Sequence, residues 1–147
     1  MFKHILVPTD GSQLSSETAT RAIAFARETG AKLTFFFAKP DYPVAFYGEG
    51  ALIDPTTPDK FAELAEQQAK AVLGAHAAAA KAAGVDSATV SSISDIPYEA
   101  IIAAAEQAGA DLIFMASHGR RGISGLLLGS ETQKVLTHSK IPVLVYR

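Results

Sequence analysis

Residues 111–147 read DLIFMASHGRRGISGLLLGSETQKVLTHSKIPVLVYR, and the fold is decided in this stretch. Residues 112–115 are a short apolar run, which turns at Ala116-Ser117-His118-Gly119. Arg120 to Gly129 then holds Gly122, Gly125 and Gly129, and a helical pattern starts at Ser130-Glu131-Thr132-Gln133. An apolar strand, beginning at Ile141 and ending at Tyr146, closes the chain. The order is strand, glycine-rich loop, helix N-terminus, helix, strand. Glycine has no Cβ, so such a loop can bring backbone N–H groups close to a ligand. The first helical turn leaves N–H groups without intrahelical partners, and the helix dipole favours negative charge there. Together these make a phosphate cradle in principle. Ser130 with Gln133 also fits a capping box, so Ser130 either only starts the helix or starts it and faces a ligand as well.

Around this stretch the bulk composition sets limits. A chain of 147 residues is expected to form one domain, residues 1–147, with a real core. Hydrophobic residues make up 48% and charged residues 19%, which fits a globular chain and not a disordered one. The formal net charge of -2 argues against general nucleic-acid binding through a basic surface. Without cysteine there are no disulfides, no thiolate catalysis and no cysteine-ligated metal. The N-terminal apolar run is too short for a signal peptide, and no run approaches the ~20 residues that span a bilayer. No membrane association is expected, and a cytoplasmic location is. His4, His76, His118 and His138 lack close ligand spacing, so no protein-built metal site is expected.

Towards the N-terminus, residues 2–7 form a β-type run ending at Pro8, followed by turn residues Thr9-Asp10-Gly11-Ser12. Ala19, Ala22, Ile23 and Ala26 then line one face of a helix. Ser15 or Ser16 is its expected cap, with Glu17 in the first turn and Gly30 at the stop. Residues 32–38 are nearly all apolar, as in a strand covered on both faces, and Phe35, Phe36 and Phe37 are best explained as core. Residues 39–57 carry three prolines and two glycines without a clear period; they are either a lid or a flap over core edges. A helix follows Thr57 with Pro58 at its first position, and Phe61, Leu64, Ala65, Gln68, Val72 and Leu73 on its inner face. It runs on through alanines to Ala83, with Gly84 at its end. Residues 88–93 make a third strand, and Asp95-Ile96-Pro97 opens a helix with Ile101, Ile102 and Ala105 inward and Gly109 at its stop.

Strands alternating with helices throughout predict an α/β fold: a five-stranded parallel sheet, order 3-2-1-4-5, with helices on both faces. Connections should be right-handed. Ligands of such sheets bind beyond the carboxyl ends of the strands, where the strand order reverses. Strands 1 and 4 are neighbours at that point, so Pro8-Thr9-Asp10 and residues 116–119 should converge. Asp10 could be a plain turn former, but its place at the switch point favours a ligand role.

These features together resemble the universal stress protein family, of the UspA type. The opening KHILVPTDGS is similar to that family's first strand and turn. Ala116-Ser117-His118-Gly119, nine residues, then Gly129-Ser130 resembles the family's motif Gly-x-x-Gly-x9-Gly-Ser/Thr. IPVLVYR resembles its last strand. The similarity covers nearly the whole chain and is weakest between about Lys39 and Pro58. Two departures stand out: Ala116 replaces the first motif glycine, and no glycine precedes Pro97.

The resemblance implies a Rossmann-like fold of the adenine nucleotide alpha hydrolase-like kind, and an ATP-binding, dimeric stress-response protein. It places Asp10 at the ribose or adenine, with Pro8 and Thr9 packing around the base and Ala38 against the adenine. Met115 and Ala116 would lie beside the nucleotide. His118, Gly119, Gly129, Ser130 and Glu131, with Thr132 in the same turn, would follow the phosphates, mostly through backbone N–H groups. Arg120 and its neighbour Arg121 either counter phosphate charge or belong to a solvated surface. The ligand would be ATP, AMP or another adenine nucleotide, with Mg2+ carried on the phosphates. The family solution for the exposed last strand is antiparallel pairing of Ile141 to Tyr146 with the same strand of a second subunit.

Three functions follow. The first is a binding module in which the nucleotide sets a conformational or dimer state. The second is a slow ATPase or self-phosphorylating enzyme; against it, the chain has no Gly-x4-Gly-Lys-Ser/Thr pattern, no kinase loop and no His-x-x-His signature. Asp10 and Glu131 are too few for a metal-bearing catalytic set, so no catalytic residue is assigned. The third is a nucleotide-free interaction scaffold.

Overall fold

The central strands are apolar at nearly every position because helices cover both of their faces. In the computed structural model, which describes residues 1–42, 57–119 and 128–147, the order is β1 (His4–Pro8), α1 (Gln13–Thr29), β2 (Lys32–Lys39), α2 (Pro58–Ala82), β3 (Ser87–Ile93), α3 (Pro97–Ala108), β4 (Leu112–Ala116), α4 (Ser130–His138) and β5 (Val143–Tyr146). The five strands pair in the expected order, β3-β2-β1-β4-β5, and every pairing is parallel.

Side chains leave a strand alternately to either face, and the core divides accordingly. Ile5, Val7, Leu33, Phe35, Phe37, Leu112 and Phe114 pack under α1 and α2 with Ala19, Ala22, Ile23, Ala26, Ala69 and Leu73. Leu6, Phe36, Ile113 and Met115 pack on the other face with Ile101, Ala104 and Ala105 of α3 and Val135 of α4. Each fully buried Leu, Ile or Phe among them contributes about 1.5–3 kcal/mol.

Four local expectations are corrected. α1 starts earlier than Ser15 or Ser16: Ser12 is its cap and accepts from the Ser15 N–H at 3.2 Å, so Glu17 falls outside the first turn. The inner stripe of α2 is Ala69, Leu73, His76 and Ala80, whereas Leu64 is exposed. Ala104 is buried in α3, while Ile102 is half-buried at the edge of that core. β5 begins at Val143, since Pro142 offers only its carbonyl, which accepts from the Ile113 N–H at 2.9 Å. Thr57 and Pro58 do open α2, and Gly30 and Gly109 do close α1 and α3.

At the amino ends of the strands, the Asp111 carboxylate accepts from the N–H groups of Lys3, at 2.9 Å, and His4, at 3.0 Å. Burial pushes its carboxyl up, but these hydrogen bonds outweigh burial and hold it below the usual carboxylate value. This clamp sets β4 beside β1, so the carboxyl ends of the two strands arrive together at the opposite rim.

Candidate functional site

The carboxyl end of β1 is finished by side chains. The Thr9 N–H donates to the Phe36 carbonyl at 2.8 Å, the last rung beside β2. The chain then turns through Gly11 at φ 77. Asp10 Oδ1 accepts from the Ser12 N–H at 2.9 Å, a short-range carboxylate-to-backbone turn. Below it, Thr9 Oγ1 lies 3.1 Å from Ser15 Oγ and 3.2 Å from His76 Nε2, and it accepts from the Gly11 N–H at 3.4 Å. Thr9, Ser15 and His76 are all buried. Burial holds the His76 imidazole below its ordinary pKa.

The carboxyl end of β4 is finished mainly by the backbone. The Ser117 N–H donates to the Tyr146 carbonyl at 2.8 Å, and the Gly129 N–H donates to the Ser117 carbonyl at 2.7 Å. The Thr132 hydroxyl donates to the Ala116 carbonyl at 2.9 Å, tying the first turn of α4 to the end of β4. The Ser117 hydroxyl meets His118 Nδ1 at 3.1 Å. Gly129 is the extended cap of α4, so Ser130 is the first helical residue and the expected Ser130–Gln133 capping box does not form. Gln133 Nε2 donates instead to the Leu128 carbonyl at 3.1 Å.

The two turns meet. A Cβ on Gly119 would stand 2.5 Å from Asp10 Oδ2, and one on Gly129 would stand 3.0 Å from His118 Cα and 3.3 Å from the Ser117 oxygen. At Gly119 the close neighbour is the end of the Asp10 side chain, which would have to swing aside, whereas at Gly129 the neighbours include the His118 and Ser117 backbone and leave a Cβ little room. Asp10, Gly119, His118 and Gly129 therefore line one rim, beyond neighbouring strands at the reversal of strand order.

Ala116, standing where the motif has glycine, is the last residue of β4 and has negative φ, like every described non-glycine residue. Alanine is ordinary there. Met115 and Ala116 are buried, and Ala38 packs half-buried beside Phe36 at the end of β2. The next residue, Lys39, is anchored to Glu66 of α2 at 2.6 Å. Ser130 is exposed at the helix start. The Glu131 carboxylate turns to α3, accepting from the Tyr98 N–H at 2.8 Å, with Lys134 Nζ 3.4 Å away. Since Ile96 gives α3 no side-chain cap, Glu131 caps it from outside. Arg120, Arg121, Gly122 and Gly125 lie outside the described residues, as do residues 43–56 of the expected lid or flap.

Sequence reasoning placed Ser117 in the turn at this rim but missed Ser15 and His76. A signal existed for both, because each is a polar residue on the buried stripe of its helix. Among the described residues no cluster of His, Asp or Glu could hold a metal ion, and no helix is long and apolar enough to cross a membrane.

The architecture and the meeting of the two turns define a class: a doubly wound, Rossmann-like α/β domain with its candidate site at the topological switch point. The model of the Universal stress protein family matches residues 1–147. A universal stress protein of Methanocaldococcus jannaschii is 31% identical over 148 residues, covering 100% of this chain and 83% of the relative. One from Thermus aquaticus, encoded in the 3' region of a QAH/OAS sulfhydrylase, is 33% identical over 147 residues and covers both chains fully. A universal stress protein solved in complex with cAMP superposes with a TM-score of 0.71 at 29% identity, covering 99% of this chain and 97% of that one. The chain belongs to the universal stress protein family.

Proposed function

We propose that this protein is an adenine-nucleotide-binding regulatory module, with ATP as its ligand at the crevice between the β1 turn and the α4 N-terminus. The observation that carries the reading is the contact of Asp10 with Gly119, alongside Gly129 at the start of α4. A carboxylate at one side suits ribose hydroxyls, which donate to it. A helix N-terminus at the other suits phosphate oxygens. The residues present fit such a group: Ala38, half-buried at the end of β2, offers small apolar surface for a base beside the buried Pro8, and the N–H groups of Ser130 to Thr132 open α4. The cAMP complex of a 29% identical relative supports adenine as the base. Any Mg2+ would ride on the phosphates. His118, Gly119, Gly129 and Ser130 would follow the phosphates, with Met115 and Ala116 beside the sugar. The side chains of Glu131 and Thr132 act within the protein, so these two residues would contribute main-chain N–H groups.

The module works as a homodimer in this reading. β5 is an edge strand whose residues are all half-buried, and antiparallel pairing with a second copy would cover that edge. Isothermal titration of the purified protein with ATP and Mg2+, together with mass analysis of nucleotide released on denaturation, tests the proposal. Saturable heat or a co-purifying adenine nucleotide is expected. No heat at millimolar ATP, AMP or cAMP would sink it and leave a nucleotide-free scaffold.

A further inference from the structure

Beneath the β1 turn, one chain of hydrogen bonds has a direction that proton counting fixes. The Ser15 hydroxyl has a single proton, and it donates to the Ser12 carbonyl at 3.0 Å, which can only accept. At the 3.1 Å contact between the two hydroxyls, Thr9 must therefore be the donor to Ser15. Thr9 Oγ1 then has only lone pairs left for its 3.2 Å contact, so His76 donates through Nε2–H. The Gly11 N–H takes the second lone pair. The relay runs from His76 through Thr9 and Ser15 to the carbonyl of Ser12, the residue that caps α1 and donates its own N–H to Asp10. His76 is held in place by Phe35, whose ring centroid lies 5.4 Å away. It sits on α2, which also anchors Lys39 at the end of β2 through Glu66.

We infer that His76 is a positioning residue for the proposed nucleotide site: from α2, its Nε2–H locks Thr9 and thereby sets the turn that aims the Asp10 carboxylate. The inference rests on the nucleotide reading above, and it names the element that governs the site's geometry. His76 touches no ligand. It acts through Thr9, so its substitution alters nucleotide affinity without removing any ligand contact. The requirement is for an N–H at the Nε2 position and not for charge.

The test compares the parent with His76→Gln, His76→Asn and His76→Leu, by calorimetric titration with ATP and Mg2+ and by NMR amide exchange at Gly11 and Ser12. Glutamine can place a side-chain N–H where Nε2 stands, whereas asparagine reaches only the Nδ1 position. His76→Gln is expected to keep ATP affinity within about threefold of the parent, while His76→Asn and His76→Leu lose about tenfold, the worth of one buried hydrogen bond. Exchange at Gly11 and Ser12 should speed up in the latter two, with Ile113 in the sheet unchanged. Parent-like affinity and exchange in a folded His76→Leu protein overturns the inference. So does an equal loss in His76→Gln and His76→Leu. Should His76→Leu not fold, the Gln and Asn variants decide by the same criteria. Should the parent bind no nucleotide, the functional reading fails, and the exchange rates alone still judge the positioning role.

Discussion

After β1 the chain is held by side chains: Asp10 grips the Ser12 N–H, Ser12 caps α1, and Thr9 joins Ser15 to His76. After β4 it is held largely by main chain, with Ser117 bonded to the Tyr146 carbonyl and Gly129 bonded to Ser117. The first turn keeps its shape through hydroxyl and imidazole groups; on the second side main-chain bonds and the Thr132 hydroxyl hold the ends together, and the lack of side chains at Gly119 and Gly129 allows the close approach. The two sides should therefore fail differently, one by lost hydrogen bonds and the other by steric intrusion.

The largest effect is expected from Gly129→Val. Its Cβ would press on the His118 backbone and the Ser117 oxygen, neither of which is the free end of a flexible side chain. Overpacking of this kind costs about 1–3 kcal/mol. The helix start should move away from the β4 end, and ATP binding should fall below detection by calorimetry while circular dichroism still reports the native fold. Unchanged affinity in a folded Gly129→Val protein would show that the backbone-built side does not depend on close approach.

On the other side, Ser12→Ala removes the cap of α1, and caps are worth about 1 kcal/mol. Denaturant unfolding should report that loss. ATP affinity should weaken by less than it does in Gly129→Val, because Asp10 keeps its bond to the backbone N–H of residue 12. A larger affinity loss in Ser12→Ala than in Gly129→Val would reverse the comparison.

The mixed legibility of the sequence has the same physical origin. The strand order could be read because β1, β2 and β4 are apolar on both faces and alternate with helices, which leaves few topologies. The meeting of Asp10 with Gly119 followed from that order. The start of α1 could not be read: Ser12, Ser15 and Ser16 all suit a cap, and the turn through Gly11 selects the first. The inner face of α2 was hidden by its alanines, since a run of small residues offers no contrast between buried and exposed positions. Ser130 resembled a cap, but Gly129 holds that place because its own N–H is bound to Ser117. His76 stands out as a polar residue on the buried stripe of α2, but what it holds could not be read, because its partners come from β1 and α1, far away in sequence.

Acid should act on the side-chain-built turn. Burial lowers the His76 pKa in the folded protein; for His4, burial and the nearby Lys32 do the same. A base whose folded pKa lies below its unfolded value of about 6.5 binds fewer protons folded than unfolded in the window between the two. Stability should thus be full above about pH 6.5 and decline as pH falls below it. Urea midpoints measured between neutral and mildly acidic pH check this. The His76→Gln variant should show a shallower decline than the parent, and an equal decline would assign the effect to His4 and to groups elsewhere.

Ser117→Ala should have the smallest effect, and it sharpens the contrast most. Ser117 is buried at the centre of the β4 side, yet among the described residues its hydroxyl reaches only His118 Nδ1, and its structural work is done by its N–H and carbonyl. Alanine keeps both backbone groups. The expected cost is about 0.5 kcal/mol, at the low end for a single hydrogen bond, with ATP affinity unchanged. If Ser117→Ala instead destabilises as much as Ser12→Ala, side chains hold both turns, and the glycines would permit the crevice without being what builds it.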